Sequence, residues 1–121
     1  MKVYFADRRL RDRCADDREL RKEYGAEGAK KIRLRLAVLA AAESLDDVMR
    51  APGKCHPLQG DRAGCYAMML HAGWRLVFQL FTGRDGEESV FRLIAIEDGQ
   101  EAPGAPGEVA ALATEIVDYH G

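Results

Sequence analysis

The hydrophobic pattern of this chain changes its period once, close to Pro52-Gly53. Before that point, apolar residues recur at the three- and four-residue intervals of an amphipathic helix. This stripe consists of Ala29, Ile32, Leu36, Leu39 and Ala40. After that point, apolar and polar residues alternate, most clearly over 74–81, as they do in half-buried strands. A chain of 121 residues with this order predicts a single α+β domain over 1–121, with its N-terminal strand and helices packed on one face of an antiparallel sheet.

Capping residues divide the first half of the chain into elements. Residues 1–5 predict a short first strand. The charged stretch 7–23 predicts one or two helical pieces, with a new start at the Asp16-Asp17 cap position. Gly25 ends this region, because glycine is the usual residue just past a helix. Ser44 begins an S-x-x-D capping pattern that predicts one more short helix.

The second half predicts strands over 64–71, 74–81 and 89–97, the first two joined by the tight turn His71-Ala72-Gly73. Residues 98–107 hold two prolines and three glycines, which predicts an irregular loop inside the domain.

Two segments compete for the role of final strand. Residues 89–98 end in the acidic pair Glu97-Asp98, and residues 108–120 end in Asp118-Tyr119-His120. The alanines of the second segment also favour a helix. We favour the second segment as the strand at the site, because it carries a histidine.

Composition is that of an ordinary globular protein, with 47% hydrophobic and 31% charged residues. No apolar run is long enough to span a membrane, and the first residues lack the apolar core of a signal peptide, so a cytoplasmic location without membrane association is expected. The cysteines Cys14, Cys55 and Cys65 contain no CxxC pair, which argues against a disulfide framework or a zinc site. Cys55 precedes His56, but neighbours in a strand point to opposite faces, which argues against a Cys–His nucleophile.

Charge is distributed unevenly along the chain. Residues 1–62 carry 15 basic and 11 acidic residues, whereas residues 63–121 carry 3 and 9, for a formal net charge of −2. A basic half can provide a phosphate-binding face even on an acidic chain with a pI near 5.9.

The residues suited to chemistry lie at the ends of separate extended segments. They are His56, Arg75, Asp118, Tyr119 and His120. Histidine serves acid or base catalysis because its ordinary pKa lies near neutrality, and arginine binds phosphate oxygens through a fork of N–H donors. Such a set can cleave a phosphodiester without a metal or another cofactor, provided that the sheet brings its members together.

Several motifs of the chain resemble the RelE/ParE superfamily of toxin–antitoxin toxins, and within it the HigB-like branch. They are Cys55-His56-Pro57-Leu58-x-Gly60-Asp61-Arg62-x-Gly64, Trp74-Arg75-Leu76-x-Phe78 and Ile116-Val117-Asp118-Tyr119-His120-Gly121, with weaker matches in the helices. The resemblance implies a RelE-like fold and a toxin of a type II toxin–antitoxin system that cuts mRNA at the ribosome. It also implies a cognate helix-turn-helix antitoxin and a toxin–antitoxin hetero-oligomer on operator DNA.

The resemblance implies roles for individual residues. His56 and His120 would act as acid and base in an order that it leaves open, and Arg75 would hold the phosphate oxygens. Tyr119 would stack on a base or orient the phosphate, and Asp118 would fix the tautomer of a neighbouring histidine. Backbone phosphates would be contacted by Lys54, Gln59 and Arg62.

Two features depart from the family pattern, and three alternatives stay open. Position 59 is glutamine where the family usually has lysine, and the pI is low for a protein that binds ribosomal RNA.

Instead of contacting phosphate, Arg62 could equally well be an arginine that pairs with the protein's own scaffold. The same fold also serves gyrase-directed toxins and members that only bind an antitoxin. A metal-dependent hydrolase using His56, His71 and His120 ranks last, because their spacing matches no metal motif. Leu10 and Leu20 are candidates for an apolar antitoxin groove.

Overall fold

The computed structural model describes residues 1–82 and 109–118. Within these ranges the order of elements is β1 (Lys2–Phe5), α1 (Arg8–Ala15), α2 (Asp17–Ala41), α3 (Leu45–Arg50), β2 (His56–Pro57), a 3₁₀ turn (Gly60–Arg62), β3 (Tyr66–Met69), β4 (Trp74–Thr82) and β5 (Val109–Asp118). The strands form one sheet in the order β1-β5-β4-β3-β2. The α+β class predicted from the change of period is confirmed.

The sheet is mixed rather than wholly antiparallel. Strands β2, β3, β4 and β5 pair antiparallel in turn, but β1 runs parallel to β5. No hairpin joins β1 to β5, because the helices and the other strands lie between them in the chain, so no tight turn imposes the antiparallel direction. The N-terminal strand is therefore an edge of the sheet. The predicted strand 1–5 is confirmed, and the expectation of a purely antiparallel sheet is wrong for this pair.

The helix starts follow the capping residues. The Asp16 carboxylate accepts hydrogen bonds from the backbone N–H groups of Arg18 and Glu19, so a new helix begins there as predicted. The Ser44 hydroxyl accepts from the N–H of Asp47 and begins α3. Gly25 breaks the helical path at φ 76° and ψ 171°, but the chain resumes its helix and α2 continues to Ala41.

The core lies between the helices and one face of the sheet. From α2, Leu20, Ile32 and Leu39 are fully buried against Leu76 and Phe78 of β4. Leu10 and Leu20 belong to this core, and Leu10 also lines a surface cavity with Tyr24 and Ile116. Burying these side chains removes apolar surface from water, which is the main force that holds helices to the sheet.

The apolar stripe predicted for α2 is correct at three of its five positions. Ala29, Ile32 and Leu39 are buried, whereas Ala40 is exposed and Leu36 is half-buried. Arg35 is buried in their midst, with 8% of its surface exposed. A charged side chain in this place has to be explained by its contacts.

The turn between β3 and β4 is as predicted. Ala72 and Gly73 both have positive φ, and the Leu70 and Trp74 backbones hydrogen-bond across the turn at 2.9 Å. Residues 109–118 of the tail form a strand rather than a helix. The predicted strand over 89–97, with its extension to Glu97-Asp98, and the predicted loop over 98–107 lie outside the described residues, as do Tyr119 and His120. Among the described helices, none has both the length and the apolar character required to cross a bilayer.

Candidate active site

Strand register sorts the sheet residues onto two faces. Directly paired residues point to the same side of a sheet, and neighbours along a strand point to opposite sides. Met68, Leu76 and Ile116 are aligned on the side that packs against the helices. The opposite side, here called the site face, has two aligned rows. One row is His56, Ala67, Val77 and Glu115, and the next is Met69, Arg75 and Val117.

His56 and Arg75 therefore emerge on the same face of the sheet. His56 is aligned through Ala67 with Val77, two strands away, and Arg75 lies two residues before Val77 on β4. Strand spacing and residue rise put their Cα atoms about 12 Å apart. The His56 side chain is exposed and that of Arg75 is half-buried. In this structure the Arg75 Nη1–H donates to the Trp74 carbonyl at 3.1 Å, and Ala67 and Val77 of the same face are fully buried.

The His56 ring is held by the backbone of the turn before it. Its Nδ1 lies 3.0 Å from the carbonyl oxygen of Lys54. A carbonyl oxygen only accepts, so in the neutral ring this contact places the proton on Nδ1 and leaves Nε2 as the acceptor. Lys54 itself has a φ of 49°, in the left-handed region that residues with a Cβ seldom occupy. The Lys54 side chain is exposed.

The neighbouring thiol is not part of the site. Cys55 packs in the core on the far side of the strand from His56, and burial raises the pKa of its thiol to about 11. The nucleophilic form of cysteine is the thiolate, so Cys55 is inert at neutral pH. This agrees with the alternation argument made from the sequence.

The loop between β2 and β3 carries two predicted phosphate contacts. Its ends are joined by the hydrogen bond from Leu58 N–H to the Cys65 carbonyl, at 2.9 Å. Gln59 is exposed at the start of the 3₁₀ turn. Arg62 crosses from this turn toward β5, where its Nε–H donates to the Glu115 carboxylate at 2.6 Å. The scaffold-pairing alternative for Arg62 is thus realised, and an acidic group not anticipated from the sequence lies on the site face.

Asp118 ends β5 at the same end of the sheet as Arg75. It is paired with Trp74, so its side chain emerges on the helix side, while its neighbour Val117 is aligned with Arg75. The Asp118 side chain is exposed. The structure therefore brings His56, Arg75 and Arg62 to one face, whereas Asp118 emerges on the opposite face at the same end of the sheet as Arg75.

The described residues contain no cluster of three or more His, Cys, Asp or Glu side chains placed to hold a metal ion. His71 is exposed in the turn between β3 and β4. That turn is separated from the His56 row by the length of β3, so His71 and His56 are not neighbours on the sheet.

Comparisons with known proteins agree with this architecture. No family model matches the chain. It is 34% identical over 58 residues to the endoribonuclease HigB of Proteus vulgaris, a match that takes in 48% of this chain and 63% of that protein. The fold matches the YoeB/ParE toxin from Agrobacterium tumefaciens with a TM-score of 0.53 at 18% identity, over 98% of this chain and 99% of the other. The chain is therefore similar in sequence to HigB over less than two thirds of that protein's length, and it shares the fold of the YoeB/ParE toxin.

Two residues near His56 and Arg75 were not predicted from the sequence. Glu115 lies in an apolar stretch of the tail, and only the alternation of β5 would have placed it on the site face. Arg35 lies between Ile32 and Leu39 of the apolar stripe, and this position in the sequence could have indicated that it is buried.

Proposed function

We propose that this protein is the toxin of a type II toxin–antitoxin system and that it cleaves mRNA as a ribosome-dependent endoribonuclease. The observation that carries the proposal is the shared face of His56 and Arg75, described above. An imidazole and a guanidinium within reach of one RNA linkage supply a proton acceptor or donor and a ligand for the phosphate oxygens. The similarity to an endoribonuclease supports the same reaction class.

The proposed reaction is an internal transesterification of RNA. One imidazole accepts the proton of a ribose 2′-hydroxyl, and the 2′-oxygen forms a bond to the adjacent phosphorus. The bond from phosphorus to the 5′-oxygen breaks, and the second imidazole donates a proton to that oxygen. The products are a 2′,3′-cyclic phosphate and a 5′-hydroxyl, and no metal or other cofactor is consumed. His56 and His120 are the two imidazoles in this proposal.

Arg75 acts on the charge that develops during this step. The pentavalent intermediate concentrates negative charge on the non-bridging oxygens, and a preorganised guanidinium lowers the energy of that state. Lys54, Gln59 and Arg62 contact neighbouring backbone phosphates, Tyr119 stacks on a base, and Asp118 orients a histidine. The roles of these five residues are assigned by the family resemblance.

The charge balance supports a role for the ribosome. A chain with a net charge of −2 gains little from counterion release on RNA, so free mRNA is expected to bind weakly. A ribosome that presents mRNA in a fixed geometry would remove much of the entropic cost of binding. A cytoplasmic location follows from this substrate. A helix-turn-helix antitoxin would neutralise the protein and assemble with it on operator DNA.

Primer extension on mRNA after induction of the protein in cells tests the proposal. The wild type is expected to generate new 5′ ends within translated mRNA and to stop growth, whereas His56→Ala and His120→Ala should generate none. Arg50→Ala provides a matched control, since Arg50 is exposed on α3 and pairs there with Asp46. Intact mRNA accompanied by a DNA-damage response would favour a gyrase target and overturn the proposal. Normal growth despite tight antitoxin binding would overturn it in favour of a non-catalytic member.

A further inference from the structure

Arg35 is a buried cation whose contacts lie beneath the turn that precedes His56. Only 8% of its surface is exposed. Its Nε–H donates to the Met69 carbonyl at the end of β3, at 2.9 Å. The Met69 N–H in turn donates to the Gly53 carbonyl at 2.7 Å. Both backbone polar groups of Met69 are therefore used to join α2 and the turn 51–54 to the sheet.

The turn approaches Arg35 so closely that only glycine fits at position 53. A Cβ built on Gly53 would lie 2.8 Å from Arg35 Nε and 3.0 Å from Arg35 Cδ, and Gly53 has a φ of +125°. Its backbone therefore lies directly on the guanidinium stem. A residue with a side chain at this position would displace either the turn or Arg35.

The same turn determines the geometry of Lys54 and His56. Lys54 follows Gly53 with a φ of 49°, and its carbonyl faces Nδ1 of His56. The His56 backbone is fixed separately by pairing with Ala67. The ring orientation and the site of its proton thus depend on where the Lys54 carbonyl points, and that depends on the turn.

We infer that Arg35 is a positioning residue of the candidate site, holding the turn 51–54 against β3 so that the Lys54 carbonyl keeps the proton of His56 on Nδ1 and leaves Nε2 as a proton acceptor. The inference rests on the proposed function for its catalytic consequence, which is that His56 is the base and removes the 2′-hydroxyl proton. The position of the ring proton itself is measurable without any RNA. Arg35 acts on His56 through the backbone of Met69 and of the turn.

Two substitutions separate the hydrogen bond from simple packing. Arg35→Met keeps an unbranched chain but removes the donor to Met69. Arg35→Gln places an amide nitrogen at the same number of bonds from Cα as Arg Nε, so the donor is restored without the charge. Arg50→Met is the control, since it removes an arginine whose ion pair with Asp46 is on the surface of α3.

The readout is the protonation pattern of the His56 ring in long-range ¹H–¹⁵N correlation spectra of the full chain, assigned by the loss of signals in His56→Gln. In the wild type, Arg35→Gln and Arg50→Met, the neutral ring is expected to be protonated on Nδ1. In Arg35→Met it is expected to show a mixture of both tautomers, together with a loss of about tenfold or more in kcat for RNA cleavage at little-changed KM.

Two results would overturn the inference. One is a wild-type His56 that is protonated on Nε2, and the other is a folded Arg35→Met protein with an unchanged ring. If Arg35→Met does not fold, the spectra of the wild type and of Arg35→Gln still test the inference, because it requires both proteins to carry the His56 ring proton on Nδ1. A wild type that has this ring but cleaves no RNA would contradict the proposed function alone, so the two failures are distinguishable.

Discussion

Arg62 and Glu115 join the loop after β2 to the last strand of the sheet, with the Arg62 Nε–H donating to Glu115 Oε1 at 2.6 Å. Their side chains are 39% and 40% exposed, so solvent screens the pair. An ion pair of this exposure adds at most about 1 kcal/mol to stability. Under the proposed function its larger effect is on RNA binding, because a carboxylate on the site face repels a phosphate that Arg62 would otherwise attract.

Replacing Glu115 with glutamine is therefore expected to strengthen RNA binding. Removal of one negative charge beside Arg62 should tighten binding roughly two- to fivefold at low salt, and the gain should shrink as salt is added. The measurement is fluorescence anisotropy with a 2′-O-methyl oligoribonucleotide, which has no free 2′-hydroxyl and is not cleaved. Asp46→Asn is the control, since it removes one negative charge from the surface of α3. Equal gains from both variants would show that only net charge matters.

At Gln59 the test is to add a positive charge, whereas at Glu115 it is to remove a negative charge. The Gln59 side chain is exposed at the start of the 3₁₀ turn and carries no charge. Gln59→Lys is expected to raise the cleavage rate severalfold, because a cation near the scissile phosphate stabilises the charge that forms there. Ala40→Lys adds the same charge at an exposed position on α2. If Gln59→Lys and Ala40→Lys cleave programmed mRNA at the same rate, position 59 does not contact the phosphate.

The raised pKa of the Cys55 thiol predicts a loss of folding stability at alkaline pH. Burial raises the pKa of this thiol from 9.0 to about 11. A buried acid with a raised pKa binds its proton more tightly in the folded state than in the unfolded state. Its full contribution to stability is therefore present below the pKa of the unfolded state, and it is lost as the pH rises from that pKa to the pKa of the folded state. Linkage gives a loss of about 1.4 kcal/mol at about pH 10 relative to neutral pH.

The comparison that isolates this effect is urea unfolding of the wild type and Cys55→Ala at neutral pH and at about pH 10. The wild type is expected to lose more stability than the variant by that amount, because contributions from other groups, including Cys14, are common to both proteins. The same loss in both would contradict the assignment. Cys55→Ala should also retain RNA cleavage, since the thiol does not react.

Features controlled by neighbouring residues were predictable from the sequence. The cap at Asp16 and the cap at Ser44 depend on side chains that bond to backbone only two or three residues away. The alternation of β4 predicted that Arg75 emerges opposite the core, and the structure has Leu76 and Phe78 in the core. Local chemistry and period therefore predicted most elements of the described chain.

Features that depend on distant partners were not predictable in this way. The parallel pairing of β1 with β5 joins residues about a hundred positions apart, and nothing near β1 specifies its direction. The burial of Arg35 depends on Gly53 and Met69, which lie 18 and 34 positions further along the chain. Arg62 could be assigned to phosphate or to the scaffold with equal reason until β5 placed Glu115 within its reach.

We propose that His56 and Arg75 act together on one phosphodiester linkage of mRNA. Single-turnover cleavage on programmed ribosomes, with the wild type, His56→Gln, Arg75→Gln and the double variant, tests it most directly. Each single substitution is expected to slow cleavage by about 10²-fold or more, and the double variant should lose much less than the product of the two, as residues that act as a unit do. The wild-type products should carry 2′,3′-cyclic phosphates. Cleavage at the wild-type rate by either folded single variant would contradict the account.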